Sequence, residues 1–435
     1  MINMNRSREA RIKRANTDWW IHEPSMVGNN GKTYIAYCTD MGEIHIKEID
    51  AKCSRSPSRD VCLCRLNCNF ADEHNAPSIC VMENGTIIVA YTGHAAYPVM
   101  RYRVTTRPYD ITSFGPEQTL TYQGEVTYAQ LFENIHRGEL WLFCRVSRVT
   151  WEFRYSKDEG KTWSDPQKFL VSDAGGLFYF NVRKQWVAGH RTPVREQWIF
   201  ALYGHPRISA DHTIRSGIFD SDGNLLSMNG EPLGVNLFTG EKIDLKALDV
   251  VYDSPEGTTV RLLAVAPTIP YRVGLASFSL DEPDTICYYT ASWKGDGWKL
   301  SAPIAKGGEF LSPDTMLDGS QTYVGGMAYY YGVGEAGLNY ERFGHVDTET
   351  NRVYIARFDG EHRVLESYLS VDCGKTYKLE QTIRKIPKEE NIKIWRPIVP
   401  IYAQDNLPLY WHEGSYGAHT GGWHCDEVML IEYDD

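Results

Sequence analysis

The chain has 435 residues and a formal net charge of −11. This acidic total argues against a nucleic-acid-binding protein, which normally presents a basic face, although a local cluster of Arg and His can still attract an anionic substrate. Aromatic residues make up 12% of the chain, which also contains 37 Gly and 20 Pro. With no long helical periodicity and no transmembrane run, this composition predicts an all-β protein of many short strands that does not contact a membrane.

The N-terminal segment, residues 1–17, is rich in basic residues and lacks the apolar stretch of a signal peptide. We expect it to be disordered, and we expect a cytoplasmic protein. A secreted protein whose leader has been removed would have the same sequence. No Pro-, Ser- or Gly-rich linker divides the rest, so we expect residues 1–435 to form a single domain.

A β-hairpin is predicted between His74 and His94. Two β-rich runs separated by Asn84-Gly85 connect these histidines, and Asn-Gly is the strongest short-range hairpin signal. Because a hairpin returns the chain to its starting point, both imidazoles are expected at one end of the ribbon. A single histidine beside a strand more often has a structural role, so this convergence is what favours a functional site.

A second hairpin follows, with Tyr128 before its first strand and Arg145 at the end of its second. His136-Arg137-Gly138 provides the turn between the two apolar runs. If the two hairpins are neighbours in a repeated β structure, Tyr128 and Arg145 join the two histidines on a common rim.

Repeated turn motifs indicate the architecture. Ser156-Lys-Asp158-Glu-Gly160-Lys-Thr162-Trp163 matches the Asp-box pattern, and residues Ser370–Tyr377 match it again. In this pattern Gly adopts a backbone conformation closed to other residues and Asp caps turn amides, so its role is structural. Together with further strand pairs along the chain, these motifs predict a seven-bladed β-propeller with Asp-box hairpins.

The ten cysteines are mostly expected to be reduced and buried. Two groups of metal-type ligands leave room for a structural metal ion, although the first does not have the spacing of a zinc ribbon. These groups are Cys53, Cys62, Cys64 and Cys68, and His412, His419, His424 and Cys425.

Short segments along most of the chain resemble the BNR-type propellers of the family that includes ulvan lyases and related enzymes acting at rhamnose–glucuronate linkages. Besides the two Asp-boxes, the segments are Asp18–Trp20, Asp72–Asn75, Gly93–His94, Tyr128, Leu142–Arg145, Tyr203–Pro206, Asn229–Leu233, Tyr323–Gly326, Arg396–Pro397 and Trp411–Gly414.

The resemblance implies an active site of two histidines, a tyrosine and an arginine, which fall on His74, His94, Tyr128 and Arg145. It implies a lyase that cleaves an anionic, uronate-containing glycan by β-elimination, a reaction that requires neither a metal nor another cofactor. Asn75, Tyr179, Arg183 and His205 are candidate substrate contacts.

Two other classes of function stay open. A glycoside hydrolase of the rhamnosidase or sialidase type could use the same propeller, although the Arg-Ile-Pro element of sialidases is absent, since Lys13 follows Arg11-Ile12. A non-catalytic carbohydrate-binding propeller would use exposed Trp and Tyr side chains. The product separates these alternatives, because only a lyase creates a double bond conjugated to the uronate carboxylate.

Overall fold

The computed structural model describes residues 9–13, 15–16, 25–39, 41–50, 58–66, 73–172, 177–187, 195–205, 211–266, 270–279, 282–310, 322–323, 325–329, 351–390, 392–400, 409–417 and 422–431. Strands form almost all regular structure in these ranges. Short 3-10 helices cover Glu73–Asn75, Leu245–Ala247 and Lys388–Glu390. None of the helices in these ranges has the length and apolarity needed to cross a bilayer.

The strands of the first half of the chain are short and frequent, as the turn residues of the sequence predict. They are β1 (Glu9–Lys13), β2 (Ala15–Asn16), β3 (Met26–Asn29), β4 (Lys32–Thr39), β5 (Glu43–Asp50), β6 (Arg59–Arg65), β7 (Ser78–Val81), β8 (Ile87–Tyr91), β9 (Val99–Val104), β10 (Gln118–Thr121), β11 (Val126–Asn134), β12 (Glu139–Val146), β13 (Thr150–Ser156), β14 (Gln167–Val171), β15 (Phe178–Val187), β16 (Arg195–Gly204) and β17 (Thr213–Asp220).

The second half continues in the same way. Its strands are β18 (Asn224–Leu226), β19 (Pro232–Asn236), β20 (Asp249–Asp253), β21 (Thr259–Ala266), β22 (Arg272–Ser279), β23 (Glu282–Trp293), β24 (Trp298–Leu300), β25 (Ala305–Lys306), β26 (Glu309–Phe310), β27 (Thr322–Tyr323), β28 (Gly326–Tyr329), β29 (Asn351–Phe358), β30 (His362–Ser370), β31 (Lys378–Pro387), β32 (Lys393–Ile398), β33 (Leu409–Gly417) and β34 (Gly422–Ile431).

These strands form the antiparallel sheets of a β-propeller. Six sheets each use one continuous stretch of chain: β2 to β6, β7 to β10, β11 to β14, β15 to β20, β21 to β25, and β28 to β31. A further four-stranded sheet has the order β1-β34-β33-β32 and so joins both ends of the chain, while β26 and β27 pair separately. Radial repetition of such sheets leaves only short edges for unwanted pairing.

The sequence-based blade count needs correction. The all-β propeller is confirmed, but six blades, not seven, are built as contiguous repeats. The sheet that contains β1 is of another kind, because Glu9 pairs with Ile431 at the opposite end of the chain. Pairing over that separation leaves no local signal for β1. The expectation that residues 1–17 are disordered is wrong for β1 and for β2, which pairs with β4.

The two segments predicted to be Asp-boxes form tight turns between β13 and β14 and between β30 and β31. In the first, Asp158 Oδ1 accepts hydrogen bonds from Ser156 Oγ and from the amide of Thr162, both at 2.8 Å. In the second, the amide of Thr376 donates to Asp372 Oδ1 at 3.0 Å. Gly160 has a φ of 86°, in the region that favours glycine.

Aromatic side chains fill the space between the third and fourth sheets. Trp141 of β12 stacks on Trp198 of β16 with ring centroids 4.3 Å apart, and Phe143, Phe180 and Phe219 are fully buried in the same cluster. Large buried rings contribute strongly to the stability of such an interface. This packing holds β11, β12 and β15, which carry candidate site residues, in a fixed arrangement.

Candidate active site

The first predicted hairpin brings the two histidines together. Ser78 of β7 pairs with Ala90 of β8, His74 lies in the 3-10 helix that precedes β7, and His94 follows β8. Their rings stack with centroids 4.0 Å apart and an interplanar angle of 12°. The predicted convergence of His74 and His94 is therefore confirmed.

Asn75 fixes the backbone that carries His94. Its side chain is 1% exposed, and its Oδ1 accepts a hydrogen bond of 2.8 Å from the amide of His94. The next residue, Ala95, has a φ of 45°, and its amide donates to Thr127 Oγ1 at 3.1 Å. The loop after β8 is thus tied both to the segment before β7 and to β11, so the imidazoles have a defined position relative to the next sheet.

Tyr128 lies inside β11 and not before it, so this detail of the prediction is wrong. Thr127 pairs with Arg145 and Gln130 pairs with Phe143, so that Tyr128 and Ala129 together oppose only Cys144. This is a β-bulge, a feature that redirects a side chain. Tyr128 has a φ of 61°, a left-handed conformation that is costly for a bulky residue and is concentrated at functional sites.

Arg145 lies beneath the ring of Tyr128. Its Cζ is 4.3 Å from the centroid of that ring and 5.7 Å from the centroid of Tyr179. The Arg145 side chain is buried at 3% exposure, yet its Nε and Nη1 have no hydrogen-bond acceptor among the residues that the structure describes. A buried guanidinium with unsatisfied N–H groups is costly unless an anion binds there.

The four predicted residues form one cluster. The ring of Tyr128 is 5.8 Å from His74 and 6.2 Å from His94 between centroids, and it stacks on Trp151 on its other side at 6.2 Å. Both imidazoles keep part of their surface exposed, whereas Tyr128 is 1% exposed. Groups capable of acid–base chemistry and a permanent cation are thus in contact.

Tyr179 and His205 extend this cluster across the next sheet. The ring of Tyr179 meets Tyr128 edge to face at 6.0 Å and lies 5.6 Å from the ring of His205. Burial raises the pKa of the Tyr179 hydroxyl, although the positive charges of Arg145 and Arg261 and hydrogen bonds with Tyr128 and Arg145 act in the opposite direction. Tyr179 therefore keeps its proton at neutral pH.

Arg183 does not lie at the end of β15 that carries Tyr179. It lies four residues farther along β15 than Tyr179, about 13 Å away at the usual rise per residue, and its Nη1 donates to the carbonyl of Val182 at 3.4 Å. Residues 179 and 183 share a face of the strand, but only Tyr179 contacts the cluster.

Two residues beside the cluster, Tyr203 and Arg261, were not predicted from the sequence. Tyr203 pairs with Tyr179 across β15 and β16, with ring centroids 5.2 Å apart; the Tyr203-Gly204-His205 run was a signal that could have identified it. Arg261 of β21 interacts electrostatically with Tyr179, Tyr203 and Tyr288, and burial lowers the pKa of its guanidinium. No sequence pattern distinguishes Arg261, because its neighbours come from other sheets.

Within the described ranges, no group of three or more His, Cys, Asp or Glu side chains is arranged to hold a metal ion. Cys53, Cys68 and His419 of the two predicted ligand groups lie outside those ranges. Cys62 and Cys64 are free thiols on β6, and burial raises the pKa of Cys64 to about 12, so this thiol is not poised to ionise and bind a cation.

Comparisons with known proteins relate the chain to one group of enzymes. The family described as "BNR repeat-containing family member" matches residues 32–174. An ulvan lyase of Nonlabens ulvanivorans is 25% identical over 179 residues, which are 34% of this chain and 36% of that protein. An ulvan lyase of Alteromonas sp. (strain LOR) is 28% identical over 114 residues, 23% of each chain. The alignments thus span about a third or less of these curated relatives.

The fold comparison extends over the whole chain. The structure of polysaccharide lyase PL25, an ulvan lyase, superposes with a TM-score of 0.67 over 98% of this chain and 96% of that chain, at 14% identity. The same enzyme bound to -[GlcA(1-4)Rha3S]- gives a TM-score of 0.66. At this identity the likeness establishes the propeller fold. The resemblance inferred from the sequence is confirmed: residues 32–174 match the BNR-repeat family, and the chain is a β-propeller homologous to ulvan lyases.

Proposed function

We propose that this protein is a polysaccharide lyase that cleaves uronate-containing glycans of the rhamnose–glucuronate type by β-elimination. The observation that carries this proposal is the buried Arg145 guanidinium, whose Nε and Nη1 are unsatisfied among the described residues, in contact with Tyr128 beside the stacked His74 and His94. The homology to ulvan lyases supports the same reaction class.

Arg145 supplies the charge that this reaction needs. Removal of the C5 proton of a uronate turns the carboxylate into an enolate-like species with more negative charge than the ground state. A fixed guanidinium binds a carboxylate with two parallel hydrogen bonds and favours this developing charge. Since Arg145 is already desolvated within the protein, it requires little reorganisation during the reaction.

Tyr128 transfers the proton. In a syn elimination its phenolate oxygen accepts the C5 proton, the C4–C5 double bond forms, the bond from C4 to the glycosidic oxygen breaks, and the same phenol protonates the leaving oxygen. His74 and His94 hydrogen-bond the carboxylate and orient the sugar. The substrate enters beside the partly exposed imidazoles, and His205 lines the next sugar position.

Other features serve the scaffold. The turns at Asp158 and Asp372 are structural Asp-box turns at the end of the blades away from Arg145. Asn75 acts on the sugar indirectly, through the amide of His94 that it holds. The sheet formed by β1, β32, β33 and β34 joins the two ends of the chain. The proposed reaction uses no cofactor.

The test is an ultraviolet absorbance assay on rhamnose–glucuronate glycans, with mass analysis of the products. A lyase releases an unsaturated uronate that absorbs in the ultraviolet. We expect His74→Ala to lower this rate by about 10- to 100-fold, because it removes a hydrogen bond to the charged carboxylate. His136→Ala is the matched control, because His136 is exposed in the turn at the far end of the β11–β12 hairpin.

Each alternative outcome has a distinct product. Saturated sugars that carry an added water would identify a hydrolase on the same propeller. Binding without any cleaved product would identify a carbohydrate-binding protein. Equal rates for the His74→Ala and His136→Ala variants would show that the stacked His74–His94 pair takes no part in the reaction.

A further inference from the structure

The guanidinium of Arg145 lies close to both Tyr179 and Tyr128. Arg145 Cζ lies 4.3 Å from the Tyr128 ring and 5.7 Å from the Tyr179 ring, and the edge of one phenol meets the face of the other at 67°. Tyr179 is 5% exposed, and its hydroxyl has hydrogen bonds with Tyr128 and Arg145. Its hydroxyl is therefore already engaged by two other members of the cluster.

The titratable and charged groups around the two phenols differ in kind. Tyr128 contacts His74, His94 and Arg145. Tyr179 contacts or interacts electrostatically with Arg145, Arg261, Tyr203 and His205. Two permanent cations therefore act on Tyr179, yet burial outweighs them and its pKa is raised, so this hydroxyl remains a proton donor.

We infer that Tyr179 is a positioning residue that donates its hydroxyl hydrogen bond to the Tyr128 oxygen whenever that oxygen carries negative charge. The inference deepens the proposed function and rests on it, because it assigns the charged state of Tyr128 to the elimination step. Tyr179 keeps its own proton throughout: the C5 proton passes to Tyr128 and then to the leaving oxygen. The positive charges of Arg145 and Arg261 both act on the Tyr179 hydroxyl.

This role differs from the substrate contact that the sequence predicted for Tyr179. A substrate contact would change the apparent affinity for the glycan. A donor to the Tyr128 phenolate instead changes the pH at which the enzyme becomes active, since losing a hydrogen bond to an ionised group makes ionisation less favourable. The two roles therefore give different kinetic results for one substitution.

The kinetic experiment compares Tyr179→Phe with the wild-type protein across the alkaline pH range. We expect kcat at neutral pH to fall about 10- to 100-fold, KM to stay within about twofold, and the rising limb of the pH profile to move to higher pH. Tyr271→Phe is the control, because it removes a tyrosine hydrogen bond of 2.8 Å to Gln197 Oε1 away from the cluster, and its profile should match the wild type.

A spectroscopic experiment tests the same point without turnover. The tyrosine Cζ atoms are labelled with carbon-13, and the Tyr128 resonance is identified by its loss in Tyr128→Phe. We expect this resonance to titrate at higher pH in Tyr179→Phe than in the wild type or in Tyr271→Phe. Lack of unsaturated product from the wild-type protein would reject the proposed function, whereas this titration would still decide the role of Tyr179.

Two results would overturn the inference. One is a Tyr179→Phe variant with raised KM and an unmoved pH profile, which would make Tyr179 a substrate contact. The other is a Tyr128 resonance that titrates at the same pH in Tyr179→Phe and in the wild type, which would leave the hydroxyl without influence on Tyr128.

Discussion

Two buried arginines in this propeller differ in whether a carboxylate of the chain pairs with them. Arg145 of β12 is 3% exposed and leaves Nε and Nη1 unsatisfied among the described residues. Arg363 of β30 is 4% exposed and binds Glu309 with both ends of its fork, from Nε at 2.7 Å and from Nη2 at 3.0 Å. Lys393 adds a second cation at 2.8 Å from the same carboxylate.

The difference separates a scaffold from a site. A buried cation that finds its carboxylate within the chain is satisfied in the folded protein and contributes to a fixed structure. A buried cation without one retains the desolvation cost and gains a counter-ion only when an anion binds. The second arrangement is what a site for a uronate needs, so the comparison yields predictions about activity in one cluster and stability in the other.

The largest expected effect comes from Arg145→Met. We expect the elimination rate to fall about 10²- to 10³-fold, because the enolate loses its main stabilising charge, while the free energy of unfolding is unchanged or increases, because a desolvated charge is removed. The absorbance assay and urea unfolding measure the two quantities.

Arg363→Met is its matched control, and we expect the reverse pattern: near wild-type activity per folded molecule and a clear loss of stability. If both variants lost activity at unchanged stability, the distinction between the clusters would fail.

The second-largest expected effect is a loss of stability without a loss of activity. Glu309→Gln leaves Arg363 and Lys393 buried without their counter-charge, and breaking such an arrangement costs about 3–5 kcal/mol. We expect a lower urea midpoint with activity retained below the transition. A variant as stable as the wild type would show that the carboxylate contributes little to the fold.

The smallest effect is a pH dependence at the same carboxylate. Burial acts to raise the pKa of Glu309, but the hydrogen bond from Arg363 and the charge of Lys393 outweigh it, and the pKa lies below its ordinary value of 4.5. A lowered pKa means that the stabilisation is present above that value and is lost as the pH falls through the folded-state pKa.

Acid unfolding therefore distinguishes the wild type from the Glu309→Gln variant. The wild type should lose stability more steeply than Glu309→Gln below the ordinary pKa of a glutamate. The pKa of Lys393 is lowered by burial in spite of Glu309, but because Lys393 stays protonated in acid it adds no slope there. Parallel acid profiles for the two proteins would contradict the assignment.

Local sequence signals were sufficient wherever a hairpin determined the geometry. Asn84-Gly85 predicted the turn, and Gly85 has the required φ of 85°; the return of the chain then placed His94 against His74. The same reasoning brought Arg145 to the level of Tyr128, since Thr127 is the direct partner of Arg145. The family resemblance led to the same four residues by an independent route.

Positions that depend on distant partners were not predictable. The bulge that turns Tyr128 over Arg145 requires an extra residue on one strand only, and a period-two pattern cannot show which strand carries it. Arg261 reaches the site from a sheet that the local pattern does not connect to Tyr179. Arg183 shares a strand face with Tyr179 but lies about 13 Å farther along β15, a distance that the sequence pattern alone does not relate to the cluster.

The sequence by itself determined the all-β class, the repeated hairpins and the identity of the four clustered residues, because turns and alternation act over a few neighbouring positions. Only the tertiary structure decided that six blades are contiguous while another sheet joins both chain ends, that Tyr128 is held in a left-handed conformation, and that Arg145 is buried with its Nε and Nη1 lacking an acceptor among the described residues. These properties depend on contacts between sheets, where burial and unsatisfied charge are set by partners far away in the chain.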